Sequence, residues 1–207
     1  YTMTVAEFKQ ADAMTRFRYR VYRNPWFLFF IAAPVHFVLL QRLPLGPQMS
    51  TRAGWVSVMG TNIGIVLYYG SLIAIFGLED FLWVYVPVVW LSSLGAVWLF
   101  YVQHQFDDAY WVHEDDWTYQ EATMQSSSFY DLPRWLHFTS GNIGYHHIHH
   151  QNPRIPNYKL PTSFDDNPTL QKARRLGFFE SFGTAWLALW DEESQQLISF
   201  ADYRKLA

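Results

Sequence analysis

WVSVMGTNIGIVLYYGSLIAIFG (residues 55–77) and FLWVYVPVVWLSSLGAVWLFYVQ (residues 81–103) contain no Asp, Glu, Lys or Arg, and only Leu78-Glu79-Asp80 separates them. Each is 23 residues long, so as a helix each extends about 34 Å, enough for a bilayer core of roughly 30 Å. A helix in the core of a soluble protein normally keeps a polar stripe; two uncharged runs of this length in succession do not fit that pattern. The pair therefore reads as a transmembrane helical hairpin, with Pro87 in the second helix, and the fold class as an all-α integral membrane protein. The hairpin divides the chain into residues 1–54, 55–103 and 104–207.

Upstream, Trp26 to Leu40 is apolar but only fifteen residues long, and it carries Pro34 and His36. That is short of the roughly 20 residues a crossing needs, so it reads as re-entrant or interfacial, with His36 a satisfied polar side chain. Arg42 to Gly54 is a loop broken by Pro44, Gly46 and Pro47. In residues 1–25, Thr4-Val5-Ala6-Glu7 has capping-box spacing, which predicts an amphipathic helix from about Thr4. Its apolar side, Val5, Phe8, Met14, Phe17 and Val21, suits either a membrane surface, with arginines at the headgroups, or an ordinary core. Arg42 and Arg52 precede the hairpin and Arg134, Arg154 and Lys159 follow it, whereas its turn is acidic. The positive-inside rule then places both ends of the hairpin in the cytoplasm.

Composition narrows the chemistry. Aromatic residues make up 19% of the chain, which suits a protein lodged at a lipid–water boundary. With no cysteine, disulfides, thiolate zinc sites and iron–sulfur clusters are excluded, so any metal must be held by His, Asp or Glu. A net charge of −3 and the lack of a basic patch argue against nucleic-acid binding. The chain opens on Tyr1 without the pattern of a signal peptide and reads as the C-terminal part of a longer one.

Downstream of the hairpin lies His146-His147-Ile148-His149-His150, four of the eight histidines. On a helix His146, His149 and His150 stand at i, i+3 and i+4, so three imidazoles leave one face toward a common ion. Imidazole suits iron, zinc, copper or nickel alike. His104, at the cytoplasmic exit of the second span, lies on the same side of the membrane and can address the same site. His113 and His137 lack such spacing and read as exposed or structural. Carboxylates often orient a ligating imidazole through its other nitrogen, a role for which Asp107, nearest His104, is the candidate. Asp115, Asp116 and Glu121 belong to the same acidic stretch. Asn142, four residues before His146, either caps the helix or holds a metal-bound water. Residues 168–190 read as one or two amphipathic helices bearing Phe178, Phe179, Phe182, Trp186 and Trp190.

Phe100-Tyr-Val-Gln-His-Gln-Phe106, Ser127-Ser-Phe-Tyr-Asp-Leu-Pro133, Gly141-Asn-Ile-Gly-Tyr-His-His-Ile-His-His150, Arg154-Ile-Pro-Asn-Tyr-Lys-Leu-Pro161 and Leu189-Trp-Asp-Glu-Glu193 together resemble the C-terminal half of the membrane fatty acid desaturases, especially the bacterial and plant-type acyl-lipid group. The resemblance implies that His146, His149, His150 and His104 ligate a cytoplasmic di-iron centre, with His147 at a variable position as a neighbour. The family's two earlier boxes, of His-x-x-x-His and His-x-x-His-His type, do not occur in these residues, which fits a chain lacking upstream sequence. The implied reaction introduces a carbon–carbon double bond into a fatty acyl chain such as an acyl-lipid, with iron as cofactor and dioxygen as co-substrate. Electrons would come from a ferredoxin or a cytochrome b5, and membrane lipid would surround the protein. Acid should strip the metal by protonating its histidines. Two alternatives remain: a related membrane di-iron hydroxylase or carotenoid oxygenase, and a non-catalytic membrane fragment binding a single metal.

Overall fold

The computed structural model describes residues 1–43, 51–110, 112, 122 and 125–206. The protein is mostly helical and divides into two compact units: Tyr1–Asn24 with Trp98–Ala207, and Pro25–Val97.

The N-terminal segment begins with β1 (Met3–Thr4) and α1 (Val5–Gln10). The capping box forms as the sequence predicts, with Glu7 N donating to Thr4 Oγ1 at 3.0 Å and Thr4 N donating to a Glu7 carboxylate oxygen at 2.8 Å. The single predicted helix is broken in two, because Asp12 starts a second one, α2 (Ala13–Tyr22), by accepting from Thr15 N at 2.8 Å. Phe8 is fully buried against Tyr19 and Leu189, so α1 faces a protein core, while Met14 and Phe17 on α2 stay exposed.

The helical run α3 (Pro25–Arg42) contains a π-turn at Leu28–Ala32. At 18 residues it joins the candidate membrane spans; the fifteen-residue count from sequence omitted its two ends. Next come α4 (Arg52–Phe76) and α5 (Leu78–His104). No residue of α4 is buried although the helix is uncharged after Arg52, a surface that suits lipid rather than water. Gly77 turns the chain between the two helices at φ 86°, a conformation costly for any side chain. Tyr69 packs on Phe81 and Tyr85, with ring centroids 5.4 and 4.8 Å away, and Trp90 Nε1 donates to the Phe30 carbonyl within the π-turn at 2.8 Å.

Beyond α5 the chain forms β2 (Phe129–Asp131), α6 (Arg134–Thr139), α7 (His146–Gln151), α8 (Leu160–Asp166), β3 (Arg175–Gly177), α9 (Ser181–Thr184), β4 (Leu187–Asp191), β5 (Gln196–Ser199) and α10 (Phe200–Leu206). β2 and β3 pair in parallel, while β4 lies between β1, to which it is parallel, and β5, to which it is antiparallel. The expected one or two helices over 168–190 are therefore replaced by a 3-10 turn at Leu170–Lys172, two strands and one short turn of α-helix. Gly177 and Gly183 interrupt the helical pattern, and Leu187–Asp191 gains more by burying Ala188, Leu189 and Trp190 as a central strand. Tyr19 Oη donates to the Ala188 carbonyl and Arg23 Nη2 to the Leu187 carbonyl at 2.9 Å, tying residues 1–24 to this sheet.

Candidate metal centre

Six residues of α7 are too few to hold a helix by propensity alone, so packing sets its position. Ile148 is buried with Leu160 and Leu170, and Ile155 and Phe164 close around them. The fully buried His147 donates from Nε2 to the Leu170 carbonyl at 3.1 Å. Upstream, Gly141 and Asn142 take left-handed conformations at φ 65° and 60°, leading into a 3-10 turn at Ile143–Tyr145. Gly144 passes so close to β2 that a Cβ there would run into the Tyr130 carbonyl oxygen and the His137 ring. This approach is what brings the start of α7 to its place.

At the end of α5, His104 meets α7. The Nε2 atoms of His104, His146 and His150 lie 3.0, 3.1 and 3.3 Å apart in pairs. The Ser126 carbonyl, 2.8 Å from His104 Nδ1, can only accept. It therefore fixes the proton on Nδ1 and leaves the Nε2 lone pair of the neutral ring facing the other two imidazoles. Burial, then the neighbouring His104 and His150, push His146 down to about 3, and burial likewise lowers His150. Both are thus neutral bases near pH 7. Three lone-pair nitrogens in mutual contact cannot all satisfy one another with one proton per ring. Nitrogens bound to one first-row ion at 2.0–2.1 Å stand about 3.0–3.4 Å apart, so this triad fits a common metal.

His149 does not join the group. Successive helical residues rotate by about 100°, which puts His149 about 60° to one side of His146 and His150 about 40° to the other. His104 stands on the His150 side. His149 is exposed, with its ring stacked beside His146 at 5.7 Å.

The neighbouring residues depart from the sequence reading. Asp107 does not orient His104; its carboxylate lies 3.4 Å from Arg174 Nη2, and the Ser126 carbonyl takes the orienting place. A backbone carbonyl has no residue-type signature, so sequence could not have named it. Asn142 precedes α7 instead of sharing its face, caps nothing with its side chain, and donates from Nδ2 to the Asn157 carbonyl at 3.0 Å. His137 packs on Phe129 with rings 11° from parallel and is not part of the triad, and His36, in the other unit, has its Nε2 3.3 Å from Gln41 Nε2. His113, Asp115, Asp116 and Glu121 lie outside the described residues.

A three-imidazole site at the end of a membrane helix can bind a redox metal beside a lipid phase. The family described as fatty acid desaturase matches residues 3–181, which include all of the triad. A curated relative, the fatty acid desaturase of Bacillus subtilis (strain 168), is 38% identical over 200 residues, covering 97% of this chain and 56% of the relative. The chain thus spans little more than half the length of that relative. On this match and this geometry, the chain belongs to the fatty acid desaturase family.

Proposed function

We propose that these residues form the C-terminal portion of an oxygen-dependent acyl-lipid desaturase with a di-iron centre. The observation that carries this reading is the convergence of His104, His146 and His150 at the membrane end of α5. These three would hold one iron. His149, on the other flank of His146, would serve the second, and further ligands would come from outside the 207 residues. Four imidazoles cannot fill the shells of two ions, so the chain by itself is expected to be inactive.

Iron held there would supply the redox chemistry with dioxygen that removal of two hydrogens from an unactivated methylene pair requires, because no side chain can deprotonate such carbons. The protein residues keep the ligands as free bases: burial disfavours the imidazolium of His146 and His150. Ser126 locks the His104 tautomer. Phe100, with its ring 4.8 Å from His104 and 6.3 Å from His146, is an apolar wall beside the triad. An acyl chain reaching a site at a helix end from the lipid phase need not cross water. Both ends of the hairpin lie on the cytoplasmic side in this reading, where a ferredoxin or a cytochrome b5 would deliver electrons.

The test is to express the full-length protein in a host lacking the corresponding desaturase and to read fatty acid masses. Loss of two hydrogens from an acyl chain, abolished by His104→Ala or His150→Ala, is expected. Gain of one oxygen would instead identify a hydroxylase, and an unchanged lipid profile with one bound metal would identify a non-catalytic metal protein.

A further inference from the structure

We propose that the segment Phe178–Trp186 inserts into the lipid headgroup boundary, seating the metal-bearing unit on the bilayer. This goes beyond the desaturase reading and rests only on α5 crossing the membrane. A core of roughly 30 Å takes about 20 residues of helix. Counted from Phe81, the first residue past Glu79 and Asp80, it ends near Phe100. Trp98 therefore lies at that boundary, where indole rings are favoured. The ring of Phe182 packs on Trp98 with centroids 5.0 Å apart, so this segment touches α5 at the same depth.

Its surface is also made for lipid. Phe179 is 84% exposed, Phe182 50% and Trp186 51%, an unusual concentration of large apolar side chains left uncovered. Phe178 anchors the segment from behind, packed against the buried cluster of Val102, Tyr130, Leu132 and Leu176. The segment's two hydroxyl side chains are bonded inside it, which lowers their cost of leaving water. Ser181 Oγ donates to the Phe178 carbonyl and Thr184 Oγ1 to the Ser181 carbonyl, at 2.7 and 2.9 Å. Glu180, the segment's one charge, is held by Arg174 at 2.6 Å and by Gly177 N at 3.0 Å.

These 207 residues hold no cysteine, and any cysteine elsewhere in the full-length protein is first replaced by serine, so that single sites can be labelled. Phe179→Cys carries one nitroxide, and Glu193→Cys, in the turn beyond the far end of β4, carries the control. The full-length protein is placed in vesicles of phosphatidylcholine and phosphatidylglycerol, and each label's collisions with dissolved oxygen and with a water-soluble nickel chelate are compared. Oxygen should dominate at position 179 and nickel at 193. Nickel dominance at 179 would overturn the proposal, since the segment would face water. Low collision with both reagents would overturn it equally, since protein would cover the patch. Phe179 is mostly exposed, so its replacement leaves the buried cluster intact.

Discussion

His150 and His149 differ by one position yet end on opposite flanks of His146, and this separation can be tested by metal counting. In the full-length protein, His150→Ala and His149→Ala should each lower the bound iron by about one ion, and the double variant should lose both; elemental analysis of purified protein reads this directly. Equal iron in His149→Ala and the parent would remove His149 from the ligand set. His147 carries a different expectation. Burial pushes it from 6.5 down to about 4, so between those values the unfolded chain takes up a proton that the folded chain refuses. The contribution of His147 to stability is therefore complete above about pH 6.5 and falls with acidification until about pH 4, a span worth on the order of 3 kcal/mol. In metal-stripped protein, melting temperature should drop more steeply from pH 7 to 4.5 in the parent than in His147→Phe, and parallel curves would contradict this. The spacing of the histidines made His146 and His150 legible. It also placed His149 toward the same ion, whereas the structure groups only His146 and His150 with His104, because i+3 and i+4 neighbours share a face only until a partner from another element chooses a side.

Among the elements, the two long spans were legible because length and missing charge are local properties, whereas β4 was not. Leu187–Asp191 is a strand because residues nearly the whole chain away, Met3 and Thr4, pair with Leu189 and Trp190, and no local periodicity encodes such a partner. The turn before α7 has its own test. Gly144→Ala forces a methyl into the Tyr130 carbonyl and His137, with an expected cost of about 1–3 kcal/mol and weaker iron retention through displacement of His146. Thermal melting in detergent with metal analysis would detect both, and an unchanged melt would mean that β2 moves freely away from the turn. Arg174 looks more important than it is. It contacts Asp107, Asp108 and Glu180, but its side chain is 32% exposed and theirs are 46–55% exposed. Solvent screens such pairs, so Arg174→Met should cost about 1 kcal/mol or less by the same melts.

At the level of the whole chain, membrane topology follows from connectivity. Residues 1–24 pair with β4 and hydrogen-bond to its carbonyls, so they share one side of the membrane with the residues beyond α5. A chain that leaves that side after Asn24 and returns at His104 must cross completely an even number of times. Three helices between these points have the length and composition to cross, so one of them is expected not to. The 25 residues of α4 and 27 of α5 extend about 37 and 40 Å, beyond a core of roughly 30 Å. The 18 residues of α3 reach about 27 Å even as an ideal helix, and the run includes a π-turn and Pro34. We therefore expect α3 to enter the bilayer without traversing it, as the fifteen-residue apolar stretch predicts from sequence. Single cysteines at Asp12, before α3, and at Gln41, in its last turn, should react with a membrane-impermeant maleimide from the same face of sealed vesicles. Labelling from opposite faces would require α3 to cross. In that case α4 or α5 would have to turn back within the bilayer, because the pairing of β1 with β4 holds the two ends of the path on one side.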